Sequence, residues 1–102
     1  MAEPTYKIIW TDEAKADLKD IYTFIKKKSP QGAKNVISDI RNAPKSVYFS
    51  HQNENEWYNI KYRRIVVRNY KILYRINEHK KELIIFAIFD TRQNPGKLSE
   101  YK

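Results

Sequence analysis

The run LIIFAIF, Leu83 to Phe89, restricts the fold of this chain more than any other segment. A strand with one solvated face alternates apolar and polar residues, whereas every position of this run is apolar. Such a strand fits inside a sheet, where other elements cover both of its faces. We therefore predict that Leu83–Asp90 is a central strand, and that the rest of the chain provides neighbouring strands and a covering layer.

Other segments supply the neighbouring strands. Clusters of β-branched and aromatic residues predict strands at Thr5–Trp10, Trp57–Tyr62, Arg64–Arg68 and Tyr70–Asn77. The second and third are separated only near Arg63, so a single bent strand across both is an alternative. The break after Arg68 predicts a tight turn, in which Asn69 is suited to a left-handed conformation. Val47–Glu56 is polar and unpatterned, which predicts a loop.

Two helices are predicted between the first strand and that loop. Thr11 before two acidic residues marks one start, because its hydroxyl can cap the first turn and the acids suit the helix dipole. Ser29-Pro30 marks a second start, and Pro44 ends or kinks that helix. Apolar residues recur every three or four positions, so each helix buries one stripe: Ala14, Leu18, Ile21, Tyr22 and Ile25 in the first, and Ala33, Val36, Ile37 and Ile40 in the second.

The order strand, antiparallel α-hairpin and β-meander predicts an α+β fold, with a mainly antiparallel sheet and the helices on one face. The 102 residues are the length of one domain, and we expect residues 1–102 to form it. The absence of cysteine excludes disulfides and thiolate metal sites. No apolar run is long enough for a signal peptide or a membrane span, so we expect a cytoplasmic protein without membrane contact.

Positive charge is the strongest compositional signal. The chain has 20 Lys and Arg residues against 12 Asp and Glu residues, a net charge of +8. A small basic domain is a candidate for binding nucleic acid or an acidic protein, although excess lysine can serve solubility alone. The charge is concentrated in RRIVVRNYKILYRI, Arg63 to Ile76, which with Lys61 before it holds six cations and no acid.

Strand alternation predicts where these side chains point. The apolar positions face the core: Ile65, Val67, Ile72, Tyr74 and Ile76. The cations share the opposite face, with one apolar residue among them: Arg64, Arg68, Lys71 and Arg75, with Leu73. Such a face suits phosphates or carboxylates, because arginine forks both, or it is an ordinary solvated face whose cations discourage edge pairing.

The remaining motifs favour structural roles. His51 and His79 have no ligand-spaced partners, so no metal site is predicted. Neither a glycine-rich phosphate loop nor a serine triad is present, and we expect no cofactor and no small-molecule substrate. The acids of the first helix fit dipole complementation and a solvated face: Asp12, Glu13, Asp17 and Asp20. The aromatic residues fit core positions better than base stacking: Trp57, Tyr58, Tyr62, Tyr70 and Tyr74.

Four segments, in this order, resemble one known family: YKIIWTDEAKADLKDIYTFI, SPQGAKNVISDI, RRIVVRNYKILYRI and IFAIFDTRQNP. They resemble the opening strand and helix, the second helix, the arginine strand with its hairpin, and the last strand with its exit in the RelE/ParE toxins of bacterial type II toxin–antitoxin modules. The two long helices resemble ParE more than RelE. The resemblance implies a toxin of a plasmid-stabilisation module that acts on DNA gyrase and is neutralised by a cognate antitoxin.

RelE implies an alternative, which is metal-independent cleavage of mRNA on the ribosome. Lys71 and Arg92 would then stabilise phosphate charge and transfer protons, and Arg64 matches an earlier basic position. Lys71 replaces an arginine, however, Val66 replaces a second basic residue, and Leu98 stands where RelE has a tyrosine. These substitutions favour gyrase.

A third interpretation is a non-toxic basic module that binds nucleic acid. If the chain is a toxin, the residues expected to contact antitoxin or target are Arg64, Arg68, Lys71, Arg75 and Arg92.

Overall fold

The computed structural model describes residues 6–49, 52–55 and 61–92. The chain forms β1 (Lys7–Trp10), α1 (Asp12–Lys26), α2 (Pro30–Asn42), a 3₁₀ turn (Ala43–Ser46), β2 (Arg63–Val67), β3 (Tyr70–Asn77) and β4 (Glu82–Asp90). This is the predicted order of elements. The predicted strand Trp57–Tyr62 lies outside the described residues except for its last two positions, which form a turn and a bend before β2.

The four strands are arranged β1-β4-β3-β2. β4 lies between β1 and β3, which confirms the central position predicted from its apolar sequence. β2, β3 and β4 pair antiparallel, whereas β1 pairs parallel to β4. The β1 pairing reaches only to Ile85, so the second half of β4 has no strand on that side among the described residues. The edge there is closed by side chains of α1 and its cap.

A β-bulge in β4 changes the sheet face on which its residues lie. The β3–β4 register passes from Leu73 opposite Ala87 to Tyr74 opposite Ile85, so Phe86 is an extra residue in β4. An extra residue shifts the alternation of the strand by one position. As a result Ile85 packs in the core on the helix side, whereas Ala87 packs in a separate cluster.

Both predicted helix caps are present. Thr11 Oγ1 accepts a hydrogen bond from Ala14 N (3.2 Å) and donates one to the Ile85 carbonyl (2.9 Å), which ties the start of α1 to β4. Ser29 Oγ accepts from Gly32 N (2.9 Å). A Cβ on Gly32 would lie 2.9 Å from that hydroxyl oxygen, so glycine at this position leaves room for the cap.

Apolar residues are buried on both faces of the sheet. The larger cluster joins the buried stripes of α1 and α2 to one sheet face, and it includes Leu18, Val36, Ile40, Ile72, Tyr74, Leu83 and Ile85. The smaller cluster lies on the other face and consists of Tyr62, Leu73, Ala87 and Phe89, with Phe86 packed against it. The helices therefore cover one face, as predicted. None of the described helices is long and apolar enough to cross a membrane.

The described part of the predicted loop is held by amide side chains. Gln52 donates to the Ser46 carbonyl and accepts from Tyr48 N, both at 2.7 Å. Asn53 donates from Nδ2 to the hydroxyl of the fully buried Tyr74 at 2.9 Å. These contacts fix residues 52–55 beside β2, where Arg64 N also donates to the Glu54 carbonyl (3.0 Å).

Candidate functional site

Three of the predicted cations lie together on the sheet face away from the helices. Lys71, Leu73 and Arg75 alternate along β3, and Arg64 of β2 is paired directly with Leu73. Directly paired residues share a sheet face, so the side chains of the three cations lie around Leu73 on one face of the sheet. We call Arg64, Lys71 and Arg75 the cationic face.

The centre of the cationic face is apolar. Leu73 is only 1% exposed and packs with Tyr62, Ala87 and Phe89, and the Tyr62 and Phe86 rings meet edge to face with centroids 5.1 Å apart. Because the buried Leu73 lies between them, the three cations do not form one continuous ionic surface. The face is therefore a rim of positive charge around a small core, which the strand alternation had only partly indicated.

Arg64 is oriented by the loop before β2. Its Nη2 lies 2.7 Å from Glu54 Oε2, and its Nη1 donates to the Asn55 carbonyl. The side chain is 22% exposed, whereas that of Glu54 is 84% exposed. Two acceptors on one guanidinium hold it in a single orientation. No sequence pattern predicts this contact, since the partners of Arg64 lie in an unpatterned loop.

Arg68 does not lie on the cationic face, and that prediction is wrong. β2 ends at Val67, and Arg68 has φ 56°, so it takes the left-handed turn conformation that we expected at Asn69. Its Nε contacts Asp39 Oδ2 of α2 at 2.7 Å. The alternation rule applies only within a strand, and the turn carries this side chain to the helix side. The pair is half-exposed and contributes at most about 1 kcal/mol.

Arg92 is bound to Asp90. Its Nε and Nη2 lie 3.0 and 2.8 Å from the two carboxylate oxygens, and its backbone N donates to Oδ1 at 2.9 Å. The hydrogen bond from the guanidinium is the main reason that the pKa of Asp90 lies below its ordinary value, and the same bond raises the pKa of Arg92. Asp90 is paired with Tyr70, which packs in the core on the helix side.

Lys71 and Arg92 are consequently not brought together. Lys71 is paired with Phe89 on the face away from the helices, whereas the Arg92 guanidinium is attached to a carboxylate on the helix side. The sheet separates the two groups. Their joint role in mRNA cleavage stays a prediction, and it would require the Arg92 guanidinium to leave Asp90.

A groove runs along the outside of the two helices, with a volume of about 620 Å³. Its floor is apolar and is formed by Leu18, Tyr22 and Ile37. Its borders are cationic and are formed by Lys15, Lys19, Lys34 and Arg41, with Ser38. We call this surface the hairpin groove. The signal for it was present in the sequence, because Lys15 and Lys19 are one helical turn apart on the flank of the apolar stripe.

A smaller cavity of about 300 Å³ lies on the other flank of α1, against the end of the sheet. Its lining includes three carboxylates, Asp17, Asp20 and Asp90, and the ring of Tyr70. Asp17 Oδ2 accepts a hydrogen bond from Ile88 N (2.9 Å), which satisfies the β4 edge beyond the reach of β1. The sequence indicated only a solvated acidic helix face here. We call this site the acidic cavity.

The other candidate groups are structural. Tyr62, Tyr70 and Tyr74 are buried, as predicted, whereas Trp57 and Tyr58 lie outside the described residues. His79 is exposed in the β3–β4 turn, and His51 is also outside the described part. Within residues 6–49, 52–55 and 61–92, no group of three His, Cys, Asp or Glu side chains is placed to hold a metal ion.

A strand, a helical hairpin on one sheet face and an antiparallel meander are the architecture of the RelE/ParE toxins. A family model described as "ParE toxin of type II toxin-antitoxin system, parDE" matches residues 8–95. The chain belongs to this ParE toxin family. Comparison with curated protein sequences gives no match.

Two solved structures have the same fold. One is from the "Chromosomal ParDE TA system from P. aeruginosa", with a TM-score of 0.69 and 21% identity over 86% of this chain and 98% of that chain. The other is from the RelBE2 toxin–antitoxin complex of Mycobacterium tuberculosis, with a TM-score of 0.62 and 13% identity over 84% of this chain and 91% of that chain. At these identities the similarity concerns the fold.

Proposed function

We propose that this ParE-family protein inhibits bacterial growth by acting on DNA gyrase in the cytoplasm, and that a cognate antitoxin neutralises it. The family match over residues 8–95 supports the toxin role. The observation that carries the choice of target is the separation of Lys71 and Arg92 by the sheet.

Cleavage of RNA by its own 2′-hydroxyl requires charge stabilisation and proton transfer at one phosphate. Lys71 lies on the face away from the helices and the Arg92 guanidinium is bound to Asp90 on the helix side, so the two groups are not preorganised around one phosphate. Arg92 also has both carboxylate oxygens of Asp90 as acceptors, so using it on a phosphate would first require breaking a bidentate ion pair. Both observations favour a target that is bound rather than cleaved.

Supercoiling by purified gyrase is the direct test. The protein should inhibit supercoiling or trap cleaved DNA, and translating ribosomes treated with the same preparation should show no cuts at the A site by toeprinting. Site-specific A-site cuts that disappear in Lys71→Ala would overturn gyrase in favour of mRNA cleavage. Induced expression of folded protein without any growth defect would instead favour the non-toxic nucleic-acid-binding module.

The hairpin groove is the surface we assign to the antitoxin. An amphipathic helix binds such a groove through apolar side chains spaced three and four residues apart, and flanking acids would match Lys15, Lys19, Lys34 and Arg41. The antitoxin segment would be disordered alone and fold on binding, then continue toward the cationic face. Both solved neighbours come from toxin–antitoxin systems, which supports a partner of this class.

A further inference from the structure

The acidic cavity is an exception in a chain with a net charge of +8. Asp17 and Asp20 enter it from α1, and Asp90 enters it from the end of β4. Arg92 balances the charge of Asp90, and the Ile88 amide contributes one hydrogen bond to Asp17. Asp20 forms no hydrogen bond or ion pair with any of the described residues, so the cavity contains a carboxylate that a partner could use.

Tyr70 provides a second and independent observation. Tyr70 is only 5% exposed to solvent and lines the cavity. No side chain or backbone group of the described residues forms a hydrogen bond with its hydroxyl. Buried hydroxyls normally have a partner, so a tyrosine hydroxyl that has none among the described residues is available to a group that enters the cavity. Burial raises the pKa of Tyr70, so the hydroxyl stays neutral at physiological pH.

The lining defines the chemistry of that outside group. Carboxylates only accept hydrogen bonds, and the tyrosine oxygen can accept as well, so the ligand should be rich in donors. The carboxylates are not placed to hold a metal ion. Ile21, Phe24 and Ile88 add apolar walls, and Phe24 is 57% exposed at the opening. A guanidinium on an aliphatic stem fits this combination, because it has five donors and stacks on aromatic rings.

We propose that the acidic cavity binds an arginine side chain of a protein partner. The guanidinium contacts Asp20 and the Tyr70 hydroxyl, and the stem packs between Phe24 and Ile88. That the partner is the antitoxin rests on the function proposed above. α1 separates this cavity from the hairpin groove, so an antitoxin that crosses α1 would present acids on one side of the helix and arginine on the other.

The cavity can be tested with a small probe and without knowing the partner. Nα-acetylarginine N-methylamide is titrated into the full chain, and amide chemical shifts of residues around the cavity are followed by NMR. We expect saturable shifts at Ile21 and Ile88, and none with the neutral, isosteric citrulline derivative. Asp20→Asn, which changes an exposed residue, should weaken probe binding about tenfold, since a charge-assisted hydrogen bond is lost.

Two matched variants separate this site from a general effect of charge. Glu13→Gln removes an exposed acid of the same helix outside the cavity and should leave probe binding unchanged. Tyr70→Phe should weaken binding without changing the α1–sheet packing, which the amide spectrum reports. Equal shifts with the citrulline derivative, or equal weakening in Glu13→Gln, would overturn the proposal.

Failure of this site and failure of the toxin proposal give different results. Growth arrest on induction without arginine-specific shifts would remove the cavity proposal alone. Arginine-specific shifts in a protein that does not arrest growth would retain the cavity and remove the toxin assignment. If both hold, Asp20→Asn should release the antitoxin faster than wild type, whereas Glu13→Gln should not.

Discussion

Three individual polar residues join the sheet to the first helix or to the loop before β2. Asp17 accepts from a β4 amide, Thr11 donates to a β4 carbonyl, and Asn53 donates to the Tyr74 hydroxyl. Each of these contacts joins positions far apart in the sequence. Arg92 makes a local contact instead, because its guanidinium holds the carboxylate of Asp90 two residues earlier, at the end of β4.

The Asp90–Arg92 pair predicts a specific dependence of stability on pH. The pKa of Asp90 is lowered in the folded state relative to its ordinary value of 3.8, so the pair stabilises the fold above that pH and the effect disappears as the pH falls through the folded pKa. Arg92→Ala should lower the free energy of unfolding near pH 7, and the difference from wild type should vanish in acid. Urea unfolding at several pH values measures this.

Lys80→Ala is the matched control, since it removes an exposed cation from the β3–β4 turn. The free energy of unfolding of Lys80→Ala should fall with decreasing pH in the same way as that of wild type. A difference between wild type and Arg92→Ala that persists unchanged at pH 2 would show that the pair does not act through the ionised carboxylate.

The Asn53–Tyr74 hydrogen bond should make a measurable contribution to stability. Tyr74 is fully buried, and its hydroxyl accepts from Asn53 Nδ2 at 2.9 Å. Tyr74→Phe keeps the ring but leaves the amide without this acceptor, which should reduce the free energy of unfolding by about 0.5–1.5 kcal/mol. Tyr48→Phe, at a residue that is 45% exposed, is the control and should have no effect. Equal stability of both variants would contradict the assignment.

The two turns between the antiparallel strands contain the residues whose type is least suited to their backbone conformation. Arg68 and Lys81 both have φ 56°, in the left-handed region, and neither is Gly or Asn. Left-handed backbone costs about 1–2 kcal/mol for a residue with a Cβ. Both turns join neighbouring strands, where the backbone has to reverse direction within two to four residues.

Lys81→Gly should therefore stabilise the protein. Its ion pair with Glu78 is exposed and long (3.4 Å), so little is lost with the side chain. Relief of the left-handed strain exceeds the added freedom of glycine in the unfolded chain, and we expect a gain of about 0.5–1 kcal/mol in chemical denaturation. Lys80→Gly, one residue earlier and without positive φ, should be neutral or destabilising. A higher stability of Lys80→Gly than of Lys81→Gly would refute this explanation.

The sequence predicted those elements whose signals are local. Thr11 and Ser29-Pro30 located the helix starts through their own hydrogen bonds, and the apolar Leu83–Phe89 run located the central strand. Prediction from the sequence failed where a single residue changes the alternation of side chains along a strand. The bulge at Phe86 and the left-handed Arg68 both depend on strand pairing, which no short pattern encodes.

The candidate site was predicted less completely, for the same reason. Arg64, Lys71 and Arg75 share a face because they lie within regular strands. Arg68 and Arg92 lie just outside strands, and their side chains form ion pairs with Asp39 and Asp90. The acidic cavity combines α1 with the ends of β3 and β4, so its residues could not be associated before the packing was known.

For the molecule as a whole, the distribution of charge determines how a partner would approach. The cations of the hairpin groove should steer an acidic antitoxin. Replacing Lys15, Lys19 and Lys34 by Ala should slow association and flatten its dependence on salt, because such charges act mainly on the rate of encounter. Stopped-flow mixing with the cognate antitoxin at several ionic strengths measures both quantities.

A variant with the same loss of charge elsewhere is the control for steering. Lys27, Lys28 and Lys80 are exposed and lie outside the hairpin groove, so their replacement by Ala should change association less. Equal slowing by the two triple variants would mean that only the net charge matters. The groove would then have no special role in the encounter.

The parallel pairing of β1 with β4 has a consequence for the timing of biosynthesis. β1 and the start of α1 are made first, yet their partners lie in β4, more than seventy positions later, as in the Thr11–Ile85 hydrogen bond with its separation of 74. β4 also joins β1 to the β2–β3 pair, so nascent chains that stop before Glu82 lack the strand that holds the sheet together. Interrupted translation therefore yields fragments without the complete fold, which can form only after β4 has left the ribosome.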